Sequence, residues 1–252
     1  MAAHAHTLLI SDLHLQAGRP DITRQFFEFL AGPARRARRL LILGDLFETW
    51  VGDDAVGPFE REVADRLAAT AALGVEIIFI AGNRDFLLGD EYCRLAGMRR
   101  AEEPLHLDLG GEPVLLLHGD VLCTDDTAYQ RFRARVRDPG WQRRMLARPR
   151  WQRLGLARLL RLASRLRTRS APERIMDVNP DEVRATLQRE QVGCMIHGHT
   201  HRPAVHADRI DDRPVRRFVL GDWFDQGSVI EADDSHIRLI TLPRGSAEDA
   251  RS

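Results

Sequence analysis

Apolar residues in this chain come in short runs that stop abruptly at polar ones. Thr7-Leu8-Leu9-Ile10-Ser11 is the first run, Leu40 to Leu43 the second, Glu76 to Ile80 the third, Val114 to Leu117 the fourth and Val192 to Ile196 the fifth. Runs this short, bounded by turn residues, read as strands covered on both faces. After the first run Ile22, Phe26, Phe27, Phe29 and Leu30 recur with a helical period, and residues 57–73 read as a second helix. Beyond the fifth run the pattern changes to short alternating segments, Val205 to Ile210, Arg217 to Leu220, Ser228 to Ala232 and Ile237 to Leu242. Alternation of that kind belongs to antiparallel strands. Strand and helix alternate in the first half, and strand dominates the end. The expectation is an α/β protein with a central, partly parallel sheet and a second sheet packed on it.

The polar residues that stop the apolar runs carry the chemistry. They are Asp12 with His14, Asp45, Asn83, His118, and His199 with His201. Ligands bind at the carboxyl ends of strands in α/β sheets, so these positions are expected to converge on one crevice. Polar residues end many strands. That alone does not account for four histidines, two aspartates and an asparagine all at strand exits. In Ile196-His197-Gly198-His199-Thr200-His201, Gly198 is expected to let the backbone turn between imidazoles. His197 is read as supporting its neighbours, since metal ligands need partners to orient them. His4, His6, His106, His206 and His236 read as surface histidines.

This donor set is nitrogen and oxygen without thiolate, which argues against structural zinc and for catalytic Mn, Fe, Zn or Mg. Seven side chains are too many for one ion and suit two. Paired ions sit ~3.5–4 Å apart and need a bridging carboxylate, for which Asp45 is the natural candidate. A hydroxide between two dications is nucleophilic at neutral pH, which suits in-line attack at phosphorus.

Composition adjusts this picture in three ways. With 252 residues, 44% hydrophobic and 29% charged, the chain has material for a sizeable core. Formal net charge is zero, yet residues 124–178 hold 15 arginines against 5 acids. The expected organisation is a core in two parts, 1–123 and 179–243, interrupted by a basic helical insertion at 124–178 and followed by a polar, flexible tail at 244–252. All 37 basic residues are arginine, which excludes a lysine nucleophile or Schiff base. Cys93, Cys123 and Cys194 are odd in number and form no CxxC pair, as in a reducing compartment. The N-terminus lacks a signal-like apolar stretch, and no run approaches the ~20 residues of a membrane span. The chain is therefore expected to be cytoplasmic, with any membrane contact peripheral.

Within the insertion, residues 151–167 read as an amphipathic helix, with Arg158, Arg161 and Arg165 opposite Leu156, Leu159, Leu160, Ala163 and Leu166. Trp141 and Trp151 add interfacial aromatics. Such a segment can lie on an anionic membrane. It can also cap the active site, its apolar face lining an acyl pocket, or be an ordinary solvated hairpin.

Asp12-x-His14, Gly44-Asp45, Gly82-Asn83-Arg84-Asp85, His118-Gly119-Asp120 and Gly198-His199-Thr200-His201 resemble the motifs of the calcineurin-like metallophosphoesterases, in order and spacing, over residues 7–232. The resemblance implies an αββα two-sheet sandwich with a helical insertion. It implies two divalent ions, with manganese the expected metal. One would take Asp12, His14, Asp45 and His201, the other Asp45, Asn83, His118 and His199. Most members carry His after Gly-Asn; this chain has Arg84. The longer strings GDLFETWVGDD, GNRDFLLG, HGDVLCTDD, IMDVNP and IHGHTHRPAVH are closely similar to a branch of the family that acts in lipid A biosynthesis. For that branch the resemblance implies cleavage of the diphosphate of UDP-2,3-diacylglucosamine to 2,3-diacylglucosamine 1-phosphate and UMP, at the cytoplasmic face of the inner membrane.

Asp45, Asn83 and Arg84 are then the catalytic candidates. Asn83, Arg84, Asp126, Ser164, Thr168 and His199 are the candidate substrate contacts. The family's lysine position falls on Ala171, and Arg169 or Arg174 could compensate. A phosphomonoester leaving group, with a second pKa near ~6, departs without a general acid, so arginine at position 84 is chemically consistent with a diphosphate. The plainer alternative is a structural salt bridge from Arg84 to Asp85 or another acid. The alternatives are another two-metal phosphodiesterase or nucleotide pyrophosphatase, a non-catalytic scaffold that would have lost ligands, and a nucleic-acid binder. The last lacks aromatic stacking motifs and a basic overall charge. No nucleic acid and no protein partner are expected; the partners are the substrate and an anionic membrane surface.

Overall fold

The structure is a computed structural model, and it describes residues 6–170 and 177–243, with the side chains of 163–170 excepted. Its strands are β1 Thr7–Ile10, β2 Arg39–Leu43, β3 Glu76–Ile80, β4 Met98–Ala101, β5 Leu105–Leu109, β6 Glu112–Leu116, β7 Cys194–His197, β8 Ala204–Ile210, β9 Arg213–Val219, β10 Gly227–Ala232 and β11 Ile237–Leu242. The α-helices are α1 Pro20–Ala31, α2 Pro58–Ala71, α3 Asp90–Leu95, α4 Thr127–Arg137, α5 Pro139–Leu146, α6 Arg150–Ser170 and α7 Pro180–Glu190.

Two sheets form. One has the order β11-β10-β1-β2-β3-β4, the other β5-β6-β7-β9-β8. β1 to β4 run parallel, as do β6, β7 and β9, and antiparallel strands flank each set.

The period-two alternation of side chains explains why the central strands are apolar throughout. Leu8, Ile10, Leu40, Ile42, Ile77 and Phe79 face a cluster completed by Phe26 and Phe29 of α1, Val63 and Leu67 of α2, and Tyr92 of α3. Their neighbours Leu9, Leu41, Leu43, Ile78 and Ile80 face the other way, onto Val114, Leu116, Ile196 and Phe218 of the second sheet. Leu115, Leu117 and Met195 then point outward again, onto Val183 and Leu187 of α7. The result is four layers, helices–sheet–sheet–helix, as the resemblance implied. Each inner strand is covered twice, and alternation is therefore invisible in its sequence.

The five strand ends do not line one sheet. β1, β2 and β3 belong to the first sheet, whereas β6 and β7 belong to the second. The crevice lies where the carboxyl edges of two packed sheets meet.

The described residues of the 124–178 span contain three helices. Asp126 and Asp138 cap α4 and α5 by accepting the backbone N–H of Tyr129 (2.8 Å) and Trp141 (2.6 Å). Arg153 anchors α6: its guanidinium donates to Val51 O and to the Asp54 carboxylate, and its Nε to Arg148 O at 3.0 Å.

The two-faced reading of α6 needs correction. Leu156, Ala157, Leu160 and Arg161 together face a cavity, so an arginine shares the inward side with leucines. Trp151, Leu154, Leu159 and Leu162 are exposed on the outside. No described helix is long and apolar enough to cross a membrane.

Candidate metal centre

Directly after β1, β2 and β7 the chain bends back over the sheet edges. Asp12, His14, Asp45, His199 and His201 all take left-handed backbone angles, φ between 51° and 69°. Each costs an L-residue on the order of 1 kcal/mol, so tertiary contacts must hold them. Parallel pairing continues past the strands: Asp12 N–H donates to Gly44 O (3.1 Å) and His14 N–H to Asp45 O (2.9 Å). Within the second sheet Gly198 N–H donates to His118 O (2.8 Å), and His199 N–H ties that sheet to the first by donating to Asp12 Oδ2 (2.8 Å).

Gly198 serves this centre differently from the expectation. It has no left-handed angle; its neighbours His199 and His201 do. A Cβ at Gly198 would strike Ser11 Oγ and Asp12 Oδ2, so the glycine is needed for close approach.

All seven sequence-predicted ligands come together. His14 Nε2 lies 3.2 Å from His201 Nε2 and 3.9 Å from Asp12 Oδ1, and His201 Nε2 lies 3.5 Å from the same oxygen. On the other side, Asn83 Oδ1 is 2.8 Å from His118 Nε2 and 2.9 Å from His199 Nδ1. Asp45 spans the two groups: Oδ2 is 3.8 Å from His14 Nε2, and Oδ1 is 3.8 Å from His118 Nε2.

Several residues that the sequence reading passed over orient these donors. His14 Nδ1 lies 3.0 Å from Glu48 Oε2 and His201 Nδ1 3.0 Å from Asp222 Oδ2, while His118 Nδ1 donates to Leu43 O (2.8 Å). With Nδ1 turned toward these oxygens, Nε2 is the ring nitrogen that each of the three histidines presents inward. Asp85, fully buried, accepts from the N–H groups of Gly82 (2.8 Å) and Leu46 (2.7 Å) and so clamps both strand-end loops. Glu48 lay within a quoted motif string; Asp222 carried no local signal. His197 is buried and braces its own loop, donating from Nδ1 to Gly198 O (2.8 Å) and accepting from Arg217 at Nε2 (3.0 Å). His106, His206 and His236 are exposed and His6 is half-buried, while His4 lies outside the described residues.

The centre fits a cation. Asp12 Oδ1 is buried with no hydrogen-bond partner, beside two facing imidazole nitrogens. Burial opposes charge on His201, yet the Asp12 and Asp222 carboxylates hold its pKa up at about 10. Burial likewise opposes charge on His118, which Asp45 and Asp12 push up to about 9. For His199, burial and the neighbouring His118 bring the pKa down to about 4. Among the described residues, Asp12 with His14 and His201, and Asp12 with Asp45 and His118, are close enough to hold metal ions.

A cavity of about 600 Å³ opens from this centre. Its lining combines His14, Asp45, Asn83, Arg84, His199 and His201 with apolar Phe86, Leu87, Phe132, Met145, Leu156 and Leu160 and with charged Glu48, Asp126 and Arg161. Asp85 spends its carboxylate on backbone N–H groups, so it does not form the salt bridge to Arg84. Arg84 Nε is buried without a hydrogen-bond partner, and the backbone N–H of Arg84 donates to Asp45 Oδ1 (2.8 Å). Asp126 lines the cavity while capping α4. The side chains of Ser164 and Thr168 lie outside the described residues, as do Ala171 and Arg174 and the side chain of Arg169.

A two-sheet sandwich with nitrogen and oxygen donors at the sheet edges defines a class, and residues 5–203 match that class in sequence: the chain belongs to the calcineurin-like phosphoesterase family. Within it, the chain is 50% identical to the UDP-2,3-diacylglucosamine hydrolase of Stenotrophomonas maltophilia (strain K279a), over 94% of this chain and 99% of that one. Proteins of the same name from Azotobacter vinelandii (49% identical) and Pseudomonas paraeruginosa (50%) each align over 94% of this chain and 98% of their own length.

Proposed function

We propose that this chain hydrolyses the diphosphate of UDP-2,3-diacylglucosamine, giving 2,3-diacylglucosamine 1-phosphate and UMP in lipid A biosynthesis. The observation that carries this reading is a single cavity lined both by the cation cradle with Arg84 and by apolar side chains of the insertion, Phe132, Met145, Leu156 and Leu160. A diphosphate attached to a diacylated sugar has the matching division of charge and hydrocarbon. The relatives that span nearly the whole chain are named for this substrate.

Asp12, His14, Asp45 and His201 would hold one divalent ion, and Asp45, Asn83, His118 and His199 a second, with manganese the expected metal. When bound, such a pair neutralises phosphate charge and activates water for attack on phosphorus. Asp45 directs one oxygen to each half of the centre. Arg84 offers the diphosphate a fixed fork of donors, and its unpartnered Nε leaves that fork free for an anion. No general acid is needed opposite a phosphate leaving group.

Asn83 and His199 reach the same phosphate, and Asp126, Ser164 and Thr168 contact the glucosamine phosphate. The insertion at 124–178 caps the site and holds the acyl chains. Its exposed apolar and basic residues rest on the anionic cytoplasmic face of the inner membrane.

The test is a metal-dependent assay of UDP-2,3-diacylglucosamine beside UDP-glucose and an aryl phosphodiester. Turnover confined to the diacylated substrate is expected. Equal turnover of all three would replace this reading with a general two-metal phosphodiesterase.

A further inference from the structure

Besides Arg153, two further arginines of the basic insertion are spent inside the protein. On α4, Tyr129, Gln130, Arg133 and Arg137 form one stripe that faces the carboxyl ends of β3 and β6. Arg133 bridges buried Asp120 and half-buried Glu103, with Nε 2.9 Å from Asp120 Oδ2 and one terminal nitrogen donating to Glu103 Oε2 at 2.9 Å. Tyr129 O–H donates to the same Asp120 oxygen at 2.7 Å, and Gln130 Nε2 to the Asp120 carbonyl at 2.8 Å.

This network ends on the candidate ligands. Glu103 Oε1 accepts the backbone N–H of His118 at 2.8 Å. One terminal nitrogen of Arg137 donates to Ala81 O (2.9 Å) and Gly82 O (3.1 Å), the two carbonyls directly before Asn83. Neither Glu103 nor Arg137 lines the cavity, so neither is placed to touch substrate. Both grip the backbone of a ligand-bearing loop from behind.

We propose that Glu103 and Arg137 are positioning residues for one half of the metal centre, setting His118 and Asn83 at the separation a cation requires. The inference rests on the reading of His118 and Asn83 as ligands of one ion. It adds that α4, part of the insertion, completes that ion's site through the backbone. The other half of the centre, at His14 and His201, is oriented instead by Glu48 and Asp222. Loss of the α4 contacts therefore weakens one ion and spares the other.

The experiment is a direct Mn2+ titration of metal-stripped protein, following free Mn2+ by its electron paramagnetic resonance signal. Native protein should bind two ions. Glu103→Ala and Arg137→Met should each retain one ion at native affinity and bind the other 10–100-fold more weakly, the usual cost of losing an orienting partner. Arg137→Lys, which still reaches both carbonyls, should restore most of that loss. Arg144→Gln, on an exposed side chain of the same insertion, should change nothing. Circular dichroism of each metal-stripped variant establishes that it folds. Folded variants that bind both ions natively, or that weaken both ions equally, would overturn the proposal. A native chain that binds no Mn2+ would instead overturn the metal reading beneath it.

Discussion

Five of the eight left-handed non-glycine residues in the described chain are candidate metal ligands. Backbone of that kind persists only where its surroundings dictate it. Here hydrogen bonds from Asp12, His14 and His199 tie three loops together. Asp45 matters most, because each oxygen addresses a different half of the centre and Oδ1 also accepts from the Arg84 N–H. Asp45→Asn keeps the shape and removes the charge. It should fold, with an unchanged far-ultraviolet spectrum, and lose about 4 kcal/mol of transition-state stabilisation, roughly 10³-fold in kcat/KM. Near-normal turnover would end the two-metal mechanism. Arg84→Ala should lower diphosphate hydrolysis about 10²-fold, with Arg84→Lys recovering only part, since an ammonium offers no fork. Unchanged turnover in the alanine variant would make Arg84 structural.

At the scale of elements, the inner strands and the helices that cover them were legible because each buries a continuous or periodic apolar face. β4, Met98–Ala101, was not: it reads Met-Arg-Arg-Ala at a sheet edge, where one side needs no burial. α7 begins Asn179-Pro180-Asp181-Glu182, a helix-start signal in the sequence, with Asn179 Oδ1 accepting two backbone N–H groups. The seven candidate ligands that the structure brings together were readable as candidates from strand ends alone. Their division between two sheets was not, since it depends on pairings such as Leu116 with Ile196, set by long-range packing. Asp222 and Glu103 escaped for the same reason: each meets its partner only after folding. Helix α6 has a comparable hidden anchor in Arg153, buried against Asp54 and Val51 O. Arg153→Met should cost about 2 kcal/mol, a fall in Tm of roughly 4–8 °C. It should also raise KM for the diacylated substrate about tenfold while sparing a small aryl diester. An equal effect on both substrates would mean that α6 does not hold the acyl chains.

Across the whole molecule the charges cancel, but the 15 arginines and 5 acids of residues 124–178 make one region strongly basic and leave the remainder acidic. Arg133, Arg137 and Arg153 are consumed by internal contacts. Arg143, Arg144, Arg148, Arg150 and Arg158 remain exposed. Beside them Trp151, Leu159 and Leu162 are 72%, 62% and 57% exposed, apolar surface that an ordinary solvated helix would not accumulate. Exposed arginines attract anionic lipid by about 1 kcal/mol each, within a Debye length that shrinks from ~10 Å at 0.1 M salt to ~3 Å at 1 M. Leucines that entered the acyl boundary would add a salt-independent part. Sedimentation with phosphatidylglycerol vesicles should therefore be strong at low salt and reduced, not abolished, at high salt. Leu159→Ser with Leu162→Ser removes roughly 2 kcal/mol of that residual, about 30-fold in partitioning. Leu73→Ser, an exposed leucine in the turn between α2 and β3, should leave partitioning unchanged. If the paired substitution and the control behave alike, the outward leucines do not meet a membrane and the insertion acts only as a cap over the centre.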